Sequence, residues 1–297
     1  KITKAMIEIK VRDEMVVHDK TFFKNTDKMQ LAHVDVDQIV PDDIVLYTDQ
    51  NANEFHVQAQ KRIMLLLESP EYHHDFYEYV CRNIHKYDLV LTFYKPILEE
   101  NLPNVKFNVY GTTWIHEDYR NVYKKSKMCS TIASNKRITS GHRMRHNMID
   151  VILQKQLPID MYGGRFQNLP QMVQSIQSNY ECNGKILALA DYRFSLTIEN
   201  CREDYYFTEK LIDCFLTGTV PIYWGCPSIG NFFNTKGMIC FMTETHGMSI
   251  LPTLTAELYE SMLPYIRENF QKAFRYVTFS LNEEAILECC SHDDSER

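Results

Sequence analysis

The sequence predicts an α/β protein made of two facing Rossmann-like domains, with the functional site in the cleft between them. Short apolar runs alternate with longer polar or amphipathic stretches along the whole chain, the order expected when strands are joined by helices. The 297 residues exceed the roughly 100–200 of one ordinary domain. The alternation also falls into two stretches of comparable size, 1–124 and 125–297, and paired doubly wound sheets bind ligands outside the carboxyl ends of their strands.

Taken in order, the runs 44–47, 63–67 and 89–93 read as buried strands, and 72–85, rich in aromatics and histidines, as a helix after the second of them. Residues 114–127 read as connecting chain. The second half opens with a strand at 128–133 and a helix at 143–156, and a further apolar run at 159–162 leads into Gly163-Gly164. A strand at 192–198 follows, then a helix at 208–216 stopped by Gly218, a buried strand at 220–224, another run at 238–241, and a helical region at 254–276.

Composition narrows the function. Apolar residues make up 44% and charged residues 24%, enough for a full core. A formal charge of −7, from 32 basic and 39 acidic side chains, argues against a surface that neutralises nucleic-acid phosphates. The nine cysteines form no paired C-x-x-C pattern and read as reduced thiols. There is no run of about 20 apolar residues of the kind that spans a membrane. The start is unlike a signal peptide and no Asn-x-Ser/Thr sequon occurs, so the expectation is a cytoplasmic protein with no transmembrane segment.

Residues 194–225 carry the most chemistry: Phe194-Ser-Leu-Thr-Ile-Glu-Asn200, a polar loop, Tyr206-Phe-Thr-Glu-Lys210, an apolar helix, and Val220-Pro-Ile-Tyr-Trp-Gly225. A strand ends at Glu199-Asn200, and the helix that begins near Lys210 offers unpaired first-turn amides beside a cation, which suits an anion such as a diphosphate. The plainer alternative is a surface helix whose Glu209 complements its own dipole.

Tyr-x-Thr-Glu-Lys followed by an apolar helix and Val-Pro-Ile-Tyr-Trp-Gly resembles the donor-binding signature of the α-1,3-fucosyltransferases. The likeness extends back through 192–200 to Ser134-Asn135 and the helix bearing Arg143 and Arg145. Forward, Gly225-Cys-Pro-Ser-Ile-Gly230 and the run ending at Lys236-Gly237 are similar to bacterial members, so about residues 125–245 are covered. The resemblance implies an inverting, GT-B type glycosyltransferase whose donor is a nucleotide sugar, GDP-fucose first and a UDP-sugar second, with no cofactor required. It implies phosphate contacts from Lys210 and Arg145, with Arg143 as the alternative arginine. Tyr206 and Glu209 would meet the donor sugar or ribose, Asn200 would line the pocket, and Glu199 is a further candidate contact. Leu65-Leu-Leu-Glu-Ser-Pro-Glu-Tyr72 resembles the family's Glu-Ser-Pro segment, which makes Glu68 the expected general base, with Glu71 its nearest substitute.

No metal site is expected. Asp35-Val36-Asp37 has the D-x-D form that other glycosyltransferases use for a metal, but a solvated acidic loop explains it more simply. His73, His74 and His116 read as ordinary polar residues, and aromatics within 72–79 as an acceptor-stacking surface or one core face of a helix. The expected partners are a nucleotide sugar and an acceptor oligosaccharide or glycoprotein glycan, with no nucleic acid. Two rivals are a transferase of the same fold using UDP-xylose, and a non-catalytic carbohydrate-binding protein. The joint presence of Glu68, Arg145, Glu209 and Lys210 argues against the second.

Overall fold

The computed structural model describes residues 6–14, 23–54, 58–164 and 183–291; Cys182 lies outside them. The chain divides into two compact units, one of residues 1–110 together with 278–297, the other of residues 111–277.

In the first unit β1 (Ile7–Arg12), β2 (Met29–His33), β3 (Ile44–Thr48), β4 (Lys61–Leu65), β5 (Leu89–Thr92) and β6 (Val105–Phe107) form one sheet in the order β2-β1-β3-β4-β5-β6. Every pairing is parallel. A parallel sheet covered on both faces needs apolar side chains on both, which is why its strands read as continuous hydrophobic runs. Successive residues of β3 and β4 show this: Val45, Tyr47 and Met64 pack with Tyr77 and Val80 of α1 (His74–Asn83) and Ile97 of α2 (Lys95–Leu98). Leu46, Ile63 and Leu65 enter the opposite core with Phe23, Phe279 and Ile286.

Ile286 comes from the C-terminal helix Glu283–Ser291, and here the division departs from the expected 1–124 and 125–297. The last residues return to the first sheet, where the Asn282 amide donates to Asn108 Oδ1 at 2.7 Å and its side chain to the Phe107 carbonyl at 3.0 Å. The other junction lies at 110/111. Residues 111–124 belong to the second unit because Thr113 Oγ1 and the Trp114 amide both donate to the buried Asp213, at 2.5 and 3.0 Å.

The second unit has β7 (Lys127–Ile132), β8 (Asp160–Tyr162), β9 (Tyr192–Ile198), β10 (Val220–Trp224) and β11 (Ile239–Cys240), in the order β11-β10-β9-β7-β8 and parallel throughout. Its helices are α3 (Ser140–Gln154), α4 (Asn183–Leu189), α5 (Glu209–Leu216), α6 (Glu244–Ile250) and α7 (Ala256–Ala273). Gly218 ends α5 as expected, in the left-handed region at φ 69°, where a β-carbon would come within 2.9 Å of the Val122 backbone. α3 begins at Ser140, ahead of the expected 143, because Thr139 caps it.

Both sheets have the second strand on one side of the first and the third on the other. The strand order therefore reverses between β1 and β3 and between β7 and β9, the places where doubly wound sheets open a crevice at their carboxyl ends. Among the described residues no helix is long and apolar enough to cross a membrane.

Candidate functional site

The crevice of the second unit is assembled by two helix starts brought against the end of β9. In α3, Thr139 Oγ1 accepts the His142 amide at 3.4 Å while the Thr139 amide donates to His142 Nδ1 at 3.3 Å, a reciprocal cap. The Gly141 amide donates to the Asn200 carbonyl at 3.0 Å. A β-carbon at 141 would run into the Glu199 carbonyl oxygen and lie 2.7 Å from that of Asn200, so glycine is what lets the helix approach so closely. One turn on, the Arg145 guanidinium donates through Nη2 to the Ile198 carbonyl and is only 5% exposed. Burial pulls its pKa down, against Glu199, Glu209 and Tyr206, whose proximity favours the charged form.

The start of α5 hangs from Glu199. This carboxylate is 0% exposed and accepts the Thr208 amide at 2.9 Å and the Thr208 hydroxyl at 2.7 Å. Burial raises its pKa, partly offset by Lys210. Thr208 in turn accepts from Lys210 Nζ at 3.1 Å, and that ammonium also reaches Glu209 Oε1 at 3.0 Å and Glu199 Oε2 at 3.7 Å. Burial alone would push Glu209 up, but Lys210 and Lys185 outweigh it and hold the carboxyl at about 2. His142, 2% exposed, is kept neutral at about 4 by burial and then by Arg145 and Lys210. Two helix N-termini, an arginine and a lysine thus meet Glu199 and Glu209 at one strand end, and helix starts and cations so placed are groups that bind phosphorylated ligands.

Of the residues singled out in the sequence, Arg145, Glu199, Asn200, Tyr206, Glu209 and Lys210 come together here. Glu199 and Tyr206 are fully buried, and both lie beside Arg145. Arg143 is exposed and folds back, donating from Nη1 to the Ile138 carbonyl at 2.8 Å, so the two arginines part company. The loop into α5 holds Tyr205 at φ 65°, an uncommon backbone for a bulky residue, with its amide donating to Ser228 Oγ at 3.0 Å. His142 was not among the expected site residues, although Thr139-Ser-Gly-His142 has a cap residue three positions before it and offered that signal.

In the first unit Glu68 follows β4, half-buried, with its carbonyl accepting from the Tyr77 hydroxyl at 2.7 Å. Asp35 and Asp37 are exposed on a short 3-10 turn that Asp35 caps. His74 faces Asp75 and Glu78 at 3.9 Å each, and His116 Nδ1 accepts the Asp118 amide at 3.4 Å. Among the described residues no group of three or more His, Cys, Asp or Glu is arranged to hold a metal, and no disulfide joins the described cysteines.

Two parallel-sheet Rossmann-like units give the GT-B fold. The structure aligns with a crystal structure of an α1,3-fucosyltransferase with GDP at a TM-score of 0.58 and 18% identity, over 99% of this chain and 92% of that one. Residues 122–239 match the model of glycosyltransferase family 10 (fucosyltransferase) C-term. Among curated relatives, the α-(1,3)-fucosyltransferase FucT of Helicobacter pylori is 42% identical over 60 residues, 20% of this chain. The GDP-fucose protein O-fucosyltransferase 3 of Bos taurus is 33% identical over 93 residues, 31% of this chain. The matches span 13% and 20% of those relatives' own lengths.

Proposed function

We propose that this protein is an inverting glycosyltransferase that moves a sugar, fucose from GDP-fucose, onto a hydroxyl of an acceptor glycan. The observation that carries the reading is that Arg145 and Lys210 both lie beside Glu199 at the end of β9, within the family-matched segment. As the glycosidic bond to the nucleotide breaks, negative charge grows on the departing diphosphate. Lys210 and Arg145 are assigned to receive that charge, and stabilising it as it develops lowers the barrier to departure.

Inversion takes a single displacement, with the acceptor oxygen attacking the anomeric carbon from the face opposite the diphosphate. Its proton passes to a carboxylate as the bond forms, the role assigned to Glu68. Glu209, held ionised well below neutral pH, and Asn200 are assigned to the donor sugar or ribose. The match to a protein O-fucosyltransferase supports a second reading of the acceptor as a hydroxyl of a protein side chain, with the same donor chemistry.

The test is transfer from GDP-fucose to glycan and to polypeptide acceptors by the wild type and two variants. Lys210→Ala lowers donor affinity and turnover together, whereas Glu68→Gln retains GDP binding and loses transfer by a factor of about 10² or more. Transfer by Glu68→Gln at the wild-type rate sinks the assignment of the base.

A further inference from the structure

Asp49, the first residue after β3, is 0% exposed, and its two oxygens are spent on two consecutive amides. Oδ1 accepts the Leu67 N–H at 2.9 Å and Oδ2 the Glu68 N–H at 3.1 Å. On the other side, Tyr77 of α1, also buried, donates its hydroxyl to the Glu68 carbonyl at 2.7 Å. We infer that Asp49, with Tyr77, is a positioning residue that clamps the Glu68 peptide and so fixes the point from which the Glu68 carboxylate swings.

Burying a carboxylate is costly, and Asp13 and Glu68 add like charge, so that burial pushes Asp49 up to about 8. The chemistry of the two donors explains why the acid stays. Two N–H groups aimed at one short side chain need two acceptor oxygens, which a carboxyl group offers in either protonation state and asparagine, with an NH2 in place of one oxygen, does not. With its amide and carbonyl both held, Glu68 varies only by its own side-chain torsions. Catalytic geometry is sensitive at this scale: a displacement of about 1 Å costs roughly 10²-fold in rate. The inference rests on the reading of Glu68 as the base.

The experiment compares Asp49→Asn and Tyr77→Phe with the wild type in three readouts: kcat, donor KM, and hydrogen exchange at the Leu67 and Glu68 amides. The expected result for Asp49→Asn is a kcat lowered about 10- to 100-fold with donor KM and GDP affinity within about twofold, and faster exchange confined to those two amides. Tyr77→Phe shows a smaller fall in kcat, and because it deletes one hydroxyl it keeps the test available should Asp49→Asn fail to fold. Loosened amides with unchanged kcat, or a kcat loss matched by a donor KM change, overturn the inference. If the wild type transfers no sugar, the functional reading fails instead. The exchange arm then still decides the clamp, since unchanged exchange in Asp49→Asn contradicts it.

Discussion

Asp49 and Glu199 occupy the same place in their two sheets. Each is the first residue after the strand inserted beside the first strand of its sheet, β3 next to β1 and β9 next to β7, and each is a fully buried carboxylate. Each uses both oxygens to hold the next structural element, Asp49 the amides ending the β4 segment and Glu199 the amide and hydroxyl that start α5. What surrounds them differs in sign. Glu199 sits among Arg145 and Lys210, whereas Asp49 has Asp13 and Glu68 for neighbours. The nearby Arg12 is already committed to Glu14 and Glu54, at 2.7 and 2.8 Å. The strand order decides where a crevice opens; the residues around the buried acid set the electrostatic character of that crevice.

The comparison breaks most sharply at Gly141. The second unit has its cationic character because α3 touches the end of β9, and an alanine there places a methyl group against two backbone carbonyls. Backbone yields less readily than a side chain, so Gly141→Ala is expected to destabilise the protein by about 3 kcal/mol and to weaken GDP binding. Urea denaturation and titration with GDP measure both. A variant of wild-type stability shows that the approach of α3 is looser than described.

A smaller effect sharpens the contrast in sign. His142 is buried beside two cations and titrates near 4, below its ordinary 6.5. The stability tied to its neutral form is therefore present above pH 6.5 and lost as pH falls through 4, because only the unfolded chain takes up the proton between those values. The full loss is on the order of 3 kcal/mol, of which about 2 kcal/mol falls between pH 7 and 5. Denaturation of the wild type and of His142→Gln at the two pH values checks this, with the smaller decline expected in the variant. Equal declines place the titration elsewhere.

Much of this was legible in the sequence where burial on both sheet faces leaves an unbroken apolar run. The segments 44–47, 192–198 and 220–224 become β3, β9 and β10, and Gly218 marks the end of α5. Lys210 was readable because a helix start and a cation adjoin in sequence, whereas Glu209 entered only through the family resemblance. The choice between Arg143 and Arg145 was not, since two residues along a helix turn the side chain through about 200° and only tertiary packing says which face meets β9. Asp49 was missed for a similar reason: its partners are 18 and 19 residues away, and nothing local distinguishes it from the exposed acid at 42. The C-terminal helix carries no sequence mark of the sheet it rejoins, because the short apolar stripe of a nine-residue helix fits either core.

The central claim, that the β9 crevice grips a nucleoside diphosphate through Lys210 and Arg145, is tested most directly by calorimetric titration of GDP and UDP into the wild type and Lys210→Ala. GDP is expected to bind the wild type, UDP to bind it more weakly, and Lys210→Ala to lose at least about tenfold in GDP affinity, the loss of one charge-assisted contact. Failure of either nucleotide to bind the wild type, or GDP affinity unchanged in Lys210→Ala, contradicts it.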